Sequence, residues 1–497
     1  MAALEDGNGG AESTAGDTTF GPARFDFAEE RDVDTFIDTL ARFERGELTS
    51  DQWRAFRLVN GTYGQRQEGT LSMVRVKLPQ GIASAEQVEA LADVASRHGR
   101  GFVHVTTRQN VQLHFVPLDE VGAILSRLAE SGLTTREACG NAIRNVTTSP
   151  SAGVAPDEVF DPVPYAEAVT RYFLRHPLAA KLPRKFKIAF NGGGEDHAFA
   201  PVNDLGYHAR LDAEGKRGFR LTVAGGTAIL CRSGHELASF VPANDILAYA
   251  EAVLRVFDRE GDRVHRQKNR LKFLVRQLGW EVFRSRVEVE LAAVRAAGAP
   301  TLPFDPEAPP VRSAPRVARA PAPTREALLA LLAGDAPRGP GFLPRALPVL
   351  GDDRGERFRR TNVRPQRQAG YSLVSIVLPL GDVSAGRLRA LAALSSAYAD
   401  GAVRFTPSQN VALHWVRDED VAPLYEHLRA ISLAEPDVGS VADVGSCPGA
   451  ESCKLAVTQS RGAAQLLGDA FRADRAFIDR AAGLGIRISG CPNGCGL

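Results

Sequence analysis

The strongest constraint on the fold is an internal repeat whose two copies lie 300 residues apart. Positions 108–116 and 408–416 share six of their nine residues, and the pair Leu78-Pro79 returns as Leu378-Pro379 at the same offset. Several matches at one offset are not expected by chance. The chain therefore contains two copies of one structural unit.

Each copy has the sequence pattern of a β-α-β-β-α half unit. In the first copy an apolar strand over 71–78 leads to a capping box formed by Ser84 and Gln87, which predicts a helix that Gly99 ends. The elements predicted after it are two strands and a helix, near 103–106, 111–116 and 120–131. The second copy repeats this pattern from Ser372. A lone half unit would leave a sheet edge exposed, so we expect the two copies to pair.

Length and proline content divide the chain further. A chain of 497 residues is too long for a single core. Residues 299–348 hold 12 of the 30 prolines, a density that predicts an extended linker with one short helix near 324–332. The predicted parts, in chain order, are a disordered tail (1–20), a first half unit (21–132), a middle domain (133–298), the proline-rich linker (299–348), a second half unit (349–432) and a C-terminal domain (433–497).

Charge and hydropathy exclude several classes of partner. The formal net charge is +1, which gives no bulk attraction to nucleic acid or to an anionic membrane. No apolar run reaches the roughly 18 residues that a membrane helix needs. The start of the chain is rich in glycine and acidic residues and lacks the pattern of a signal or transit peptide. We therefore expect a monomeric cytoplasmic protein.

Four of the six cysteines fall in the last 51 residues, as two pairs. Five residues separate Cys447 from Cys453, and three separate Cys491 from Cys495. In a reducing compartment such a quartet binds metal rather than forming disulfides. Four thiolates suit a 4Fe–4S cube, because each iron takes one sulfur ligand, but they also suit a structural zinc ion. The wide first pair and the glycines of the second favour the cube and leave zinc open.

The repeat continues more weakly into the regions that carry these cysteines. The aligned segments are 139–148 with 447–458 and 187–194 with 487–494. Where the second copy has cysteines, the first has Arg144, Lys185 and Lys187. Strand alternation places both lysines on one face, and Arg75 points inward from its strand, where an unpartnered charge is costly. Each charge alone is most simply a surface charge, but together they predict an anion-binding half beside a metal-binding half.

The residues around the cysteines add a family resemblance. The segments Cys447–Ala456 and Gly490–Gly496, together with the order of the motifs, resemble the sirohaem-containing nitrite and sulfite reductases from about residue 40 onwards. The resemblance implies an α+β fold, in which two ferredoxin-like half units pair and two α/β halves bind sirohaem and a 4Fe–4S cluster. It also implies that the four clustered cysteines hold the 4Fe–4S cluster and that Cys495 bridges to the sirohaem iron.

The same resemblance implies roles for basic and amide side chains. Those implied to grip the anion above the sirohaem iron are Arg75, Arg144, Lys185 and Lys187. Those implied to hold sirohaem are Arg108, Gln109, Asn110 and Asn145. The implied reaction is the six-electron reduction of nitrite to ammonium or of sulfite to sulfide, with ferredoxin or a similar small protein as electron donor. The sequence does not choose between nitrite and sulfite.

Two other functions remain open from the sequence. The first is an oxygenase of cobalamin synthesis that resembles precorrin-3B synthase and would keep the cluster. Loss of the paired lysines would favour this function, whereas Lys185 and Lys187 are both present here. The chain also ends two residues after Cys495, whereas members of the resembling family continue further. We therefore expect a chain that is short at its C-terminus. The second alternative is that this chain is an inactive remnant.

Several further residues have both a functional and a packing interpretation. Tyr63 and Cys139 either pack in the core or form a pair beside the haem, cross-linked or active in proton transfer, as the resemblance to ferredoxin-dependent sulfite reductases implies. The basic run at 354–367 is interpreted as a solvated face, with a docking surface for an acidic electron donor as the alternative. The side chains interpreted as core residues are Cys231, His104, His114 and His414.

Overall fold

A computed structural model describes residues 26–67, 69–265, 267–310, 319–334 and 353–496. The predicted tail at 1–20 and parts of the predicted linker lie outside these residues. Among the residues described, no helix is long and apolar enough to cross a bilayer.

The first repeat folds into elements close to those predicted. They are α1 (Glu30–Glu44), α2 (Ser50–Val59), β1 (Thr62–Gly64), β2 (Ser72–Val76), β3 (Ile82–Ser84), α3 (Ala85–His98), β4 (Phe102–Val105), β5 (Val111–Val116) and α4 (Val121–Glu130). The predicted capping box is confirmed, because Ser84 accepts from the N–H of Gln87 while the Gln87 side chain accepts from the N–H of Ser84. Helix α3 ends directly before Gly99.

The middle segment builds one five-stranded sheet with helices packed against it. Its elements are β6 (Thr147–Thr148), α5 (Val163–Phe173), β7 (Ile188–Asn191), β8 (Leu205–Leu211), β9 (Arg217–Val223), β10 (His235–Pro242), α6 (Ile246–Glu260), α7 (Leu271–Leu278) and α8 (Trp280–Ala296). The strand order is β10-β9-β8-β7-β6, with β6, β7 and β8 parallel and the other pairs antiparallel. One apolar core joins this sheet to α5, α6, α7 and α8.

The second repeat has the same order of strands and helices as the first. Its elements are α9 (Arg325–Gly334), α10 (Arg354–Asn362), β11 (Val363–Pro365), β12 (Tyr371–Ile376), β13 (Asp382–Ser384), α11 (Ala385–Tyr398), β14 (Ala402–Phe405), β15 (Val411–Arg417) and α12 (Val421–Ala430). Helix α9 confirms the short helix predicted near 324–332. The last described elements are β16 (Gly445–Ser446), α13 (Ser460–Arg472), α14 (Arg475–Arg480) and β17 (Arg487–Ile488), and β16 pairs with β17 in parallel.

The two repeats exchange one strand each. The first sheet has the order β1-β2-β5-β4-β13, so its last strand comes from the second repeat, and the sheet β11-β12-β15-β14-β3 takes its last strand from the first. Asp382 pairs with His104 across one junction, and Ile82 pairs with Arg404 across the other. One apolar core contains residues of both repeats, where α3 packs against α11. The predicted pairing of the half units is therefore confirmed.

The regions that follow each repeat are also related, at an offset of 298 rather than 300. Gln109 Oε1 accepts from the N–H of Thr148, and Gln409 Oε1 accepts from the N–H of Ser446. Two other bonds match at this offset, those of Val159 N–H with Gly192 O and of Val457 N–H with Gly490 O. These bonds show that Thr148 and Ser446 occupy equivalent positions in the two regions.

The predicted alignment of Cys139 with Cys447 is consequently wrong, because Ser149 occupies the matching position. The reason is that a short polar stretch can slide by several residues in an alignment without losing its pattern. The hydrogen bonds of the paired strands allow no such shift.

Candidate functional site

The cysteines lie on two loops that are bonded to each other. The N–H of Cys447 donates to Ile488 O at 3.1 Å, and the N–H of Gly490 donates to Cys447 Sγ at 3.2 Å. Position 490 leaves little room for a side chain, since an added Cβ would lie 3.0 Å from Gly449 Cα. The close approach places Cys491 directly beside the loop that begins at Cys447.

Cys453 and Cys495 lie near the same pair of loops. Burial raises the pKa of the Cys453 thiol, and the thiols of Cys495 and Cys491 nearby raise it further. A zinc ion would need all four sulfurs about 2.3 Å from one point, and no three His, Cys, Asp or Glu side chains of the described residues converge in that way. A cube separates its ligands more widely, because each sulfur binds a different iron. The role of these four cysteines as ligands of a 4Fe–4S cluster stays a prediction.

The first half has a cavity at the place that matches the cysteines. At the offset of 298, the counterparts of the four cysteines are Ser149, Ala155, Gly193 and His197. All four line one cavity of about 310 Å³, together with Asp157, Glu158 and Glu195. The four matching positions of the first half thus surround one space. Because none of the cavity's lining residues is a cysteine, the first half does not duplicate the cluster site.

Four predicted cations come together at the last cysteine. Burial raises the pKa of the Cys495 thiol, but the positive charges of Lys185, Lys187, Arg75 and Arg144 lower it below its ordinary value. Arg75 lies on β2, Arg144 precedes β6, and Lys187 directly precedes β7. Cys495 keeps an exposed surface although these side chains surround it. It therefore faces a cleft with a positive lining.

No carboxylate of the described residues forms an ion pair with these cations. The two arginines donate to the carbonyl oxygens of Ala138 and Gly140 instead. Burial lowers the pKa of Lys185 to about 8, and burial followed by the charge of Lys185 lowers the pKa of Lys187 well below its ordinary value. Partly desolvated cations without counter-ions are costly, which indicates a cleft suited to an anion.

Two of the residues predicted to hold sirohaem border this cleft. Arg108 Nη1 donates to Asn203 Oδ1 at 2.6 Å and Nη2 donates to Ile188 O at 2.9 Å. Asn145 Nδ2 donates to Leu78 O at 2.6 Å and to Arg108 O at 3.0 Å. Arg108 Nε and Asn145 Oδ1 are buried and have no partner among the described residues. Both side chains therefore keep an unused polar atom.

The other two amides are tied to the backbone. Gln109 is fully buried, and its amide donates to Phe405 O at 3.1 Å while it accepts from Thr148 N–H at 3.1 Å. Asn110 Oδ1 accepts from the N–H of Leu78 at 3.1 Å. These bonds hold the turn between β4 and β5 against both repeats. A contact of either amide with a sirohaem carboxylate stays a prediction.

A buried ion pair that the sequence did not predict lies behind Lys187. Arg270 Nη2 donates to Asp204 Oδ2 at 2.7 Å, and the same oxygen accepts the backbone N–H of Lys187 at 2.8 Å. Both partners are buried. The pair fixes the start of β7 and adds a further positive charge beside Lys187. Arg270 lies in a basic segment whose pattern is typical of an exposed surface. No sequence signal therefore distinguishes this buried arginine from its neighbours.

A second missed residue, Lys272, holds the loop that contains Cys231. Its ammonium group is buried and donates to the carbonyl oxygens of Thr227, at 2.7 Å, and Leu230, at 3.0 Å. An added Cβ on Gly494 would lie 2.9 Å from the backbone of this loop, which therefore packs against the second cysteine turn. Cys231 is exposed, so its predicted core placement is wrong. The loop turns outward between β9 and β10.

Tyr63 and Cys139 lie near the same cations. Burial raises the pKa of the Tyr63 hydroxyl, and the neighbouring Cys139 raises it further, whereas Arg144 lowers it. Cys139 is buried, with its sulfur 3.7 Å from Gly61 O, to which it donates. The two side chains are therefore neighbours beside the cleft, and their cross-link stays a prediction.

The basic run at 354–367 is not wholly a solvated face. Arg357 is buried and donates to Asp437 at 2.8 Å and to Asp479 at 2.9 Å. These bonds attach α10 to the C-terminal region. The interpretation as a solvated face is wrong for Arg357, because its acidic partners lie 80 and 122 residues away and leave no local charge pattern.

Comparisons with known proteins agree with this architecture. A family model described as the nitrite/sulfite reductase ferredoxin-like half domain matches residues 63–131 and again residues 364–431. A second, described as the nitrite and sulphite reductase 4Fe-4S domain, matches residues 139–294. Together the matches cover more than half of the chain.

Curated relatives and a solved structure extend the match. The chloroplastic ferredoxin–nitrite reductase of Oryza sativa subsp. japonica is 31% identical over 434 residues, which are 85% of this chain and 64% of that protein. Sulfite reductase (ferredoxin) 1 of Mycolicibacterium paratuberculosis is 28% identical over 431 residues, 86% of this chain and 68% of that protein. The structure of the Mycobacterium tuberculosis NirA protein is similar with a TM-score of 0.71 and 26% identity, over 94% of this chain and 81% of that one.

The chain thus spans about two thirds of the length of the curated relatives it matches. Its two half domains and its α+β fold agree with the matched family models and with the structural neighbour. The chain belongs to the nitrite and sulfite reductase family.

Proposed function

We propose that this chain catalyses the six-electron reduction of nitrite to ammonium or of sulfite to sulfide, at a sirohaem coupled to a 4Fe–4S cluster. The electrons come from ferredoxin or a similar small protein, and the chain acts as a cytoplasmic monomer. The observation that best supports the proposal is the group of four cations around Cys495, for which the described part of the chain offers no carboxylate partner. Nitrite and sulfite are both small anions, and relatives named for each are similar to this chain.

The side chains fit both cofactors. Soft thiols with a backbone N–H donor, as at Cys447, suit an iron–sulfur cluster. Sirohaem carries many carboxylates, and the buried, unused Nε of Arg108 is the kind of donor that a carboxylate satisfies. When bound, the two groups would supply the redox chemistry of the reaction.

The chain's own residues then hold the anion and supply protons. Arg75 and Arg144 provide guanidinium charges that stabilise negative charge on oxygen as its bond to nitrogen or sulfur breaks. Lys185 has a pKa lowered by burial to about 8, so it is protonated at neutral pH and can still release its proton to a leaving oxygen. Asp204 holds the backbone of Lys187 in place for the same task.

An absorption spectrum together with analysis of iron and acid-labile sulfide tests the cofactor content directly. Consumption of nitrite and of sulfite by the cofactor-loaded protein, with reduced methyl viologen as donor, then tests the reaction. We expect turnover of at least one anion and a clear preference between the two. A protein that holds both cofactors and reduces neither anion would refute the proposal.

A further inference from the structure

Four side chains form one row across the first sheet. Arg75 on β2 pairs with Gln112 on β5, Gln112 pairs with His104 on β4, and His104 pairs with Asp382 on β13. Partners in register project from the same face of a sheet. The row therefore runs from the proposed anion site to the strand that the second repeat contributes.

Gln112 is the member that contacts Arg75. With its amide oxygen turned toward Arg75, it accepts hydrogen bonds from Nε, at 3.0 Å, and from Nη2. The amide nitrogen then lies 3.3 Å from His114 Nε2, to which it donates. In the reverse orientation the oxygen would face only acceptors and the nitrogen only donors, so the surroundings select one orientation. Both Gln112 and His114 are buried.

His104 and Asp382 close the row at its other end. His104 Nδ1 lies 2.9 Å from Asp382 Oδ1, and Gln409 Nε2 donates to His104 Nε2 at 3.2 Å. Arg461 also donates to Asp382, at 3.2 Å from Nη1. The rings of His104 and His114 meet edge-on with centroids 6.1 Å apart. The imidazole that supports Gln112 thus packs against one that two hydrogen bonds hold in place.

The second sheet shows that the fold does not require this row. The matching positions there are Ser375, Ala412, Arg404 and Ile82. Ala412, at the place of Gln112, has no polar side chain, yet the strands pair in the same register. Buried polar side chains cost stability unless each is satisfied. A role at the cleft explains why the first sheet carries the row and the second does not.

We propose that Gln112 is a positioning residue, which holds the guanidinium of Arg75 toward the bound anion and is itself held by His114. Arg75 Nη1 donates to Ala138 O at 3.3 Å, so the protein fixes the guanidinium from two sides. A pre-oriented arginine loses less freedom when the anion arrives. The inference rests on the proposed function, because it takes Arg75 as an anion-binding residue.

A double-mutant cycle tests this role. Gln112→Ala installs the residue of the matching position, and Gln112→Met removes the acceptor while keeping the length of the side chain. We expect either change to raise the KM for the reduced anion roughly 10-fold with little change in kcat. In an Arg75→Ala background the same changes are expected to alter KM by less than about twofold, because Gln112 acts through Arg75. Additive losses in the two backgrounds would overturn the inference.

A structural readout separates this inference from the proposed function. Crystal structures of the unaltered protein and of Gln112→Met compare the orientation of Arg75, which we expect to change only in the variant. An unchanged guanidinium would overturn the inference, whether or not either anion is reduced. Ser375→Ala, at the position that matches Arg75 in the second sheet, is the control and is expected to leave KM and thermal stability unchanged.

Discussion

The N–H of Gly490 donates a hydrogen bond to the sulfur of Cys447 at 3.2 Å, and this bond joins the two cysteine loops. Such a donor stabilises a thiolate ligand and orients it toward its metal. The bond depends on a close approach of two backbones, since a Cβ at position 490 would lie 3.0 Å from Gly449 Cα. Assembly of the quartet therefore depends on a glycine as well as on the four sulfurs.

Gly490→Ala is expected to lower the iron and acid-labile sulfide content per chain by half or more, because the added methyl group separates the loops. Gly462→Ala is the matched control. Gly462 lies in α13, and a Cβ there meets no atom within 4 Å. The control should keep its full cluster content, and equal losses in the two variants would contradict the explanation.

Cys453→Ser should abolish the cluster, because a hydroxyl is a poor ligand for iron in a sulfur cube. Cys231→Ser removes a thiol that is exposed and lies outside the quartet. Colorimetric iron analysis on both purified variants gives the comparison. Normal iron in the Cys453 variant would show that this cysteine is not a ligand.

Lys185→Met is expected to reduce kcat roughly 100-fold, since it removes a charge and a proton donor next to the reacting anion. Lys181 lies four residues earlier on the exposed surface, so Lys181→Met should leave kcat unchanged. Steady-state rates at saturating anion distinguish the two. A small effect at position 185 would place its ammonium group outside the reaction.

Turnover is also expected to depend on pH through Lys185. Burial lowers its pKa to about 8, so the side chain is protonated below that pH and loses its charge above it. The value of kcat/KM should therefore fall about tenfold per unit as pH rises beyond about 8. Lys185→Arg keeps its charge over this range and should lose this decline. An unchanged decline in the arginine variant would assign the titration to another group.

Lys272→Met should loosen the loop over the second cysteine turn. The loss of charged hydrogen bonds to Thr227 O and Leu230 O is expected to lower the free energy of unfolding by about 2 kcal/mol. Hydrogen exchange in residues 226–232 should become faster, whereas the exposed-surface variant Lys268→Met should behave like the unaltered protein. Slow exchange in both would mean that other contacts hold the loop.

Local signals in the sequence predicted the elements of each repeat well. The capping box of Ser84 and Gln87 needs only neighbouring residues, and the structure shows both of its bonds. The offset of the repeat likewise predicted that the half units pair. Which strand crosses to the other sheet was not predictable, because the pairing of Ile82 with Arg404 joins segments more than 300 residues apart.

The site was predictable only in part. The cysteine pairs are visible from their spacing. Strand alternation and the comparison of the repeats pointed to an anion-binding half, and the family resemblance then assigned the four cations to the anion. Asp204 and Arg270 are 66 residues apart in unremarkable segments, so their ion pair could not be foreseen. The predicted alignment of 187–194 with 487–494 is also wrong, by two residues, because the strand pairs equate Ala189 with Arg487. The error arose where few side chains are identical. The boundaries drawn between the predicted domains stay predictions.

The exchange of β3 and β13 also bears on synthesis at the ribosome. The last strand of the first sheet, β13 (Asp382–Ser384), pairs with the edge strand β4. The other four strands of this sheet end by Val116. An emerging chain must therefore carry an open edge through more than 250 residues of translation.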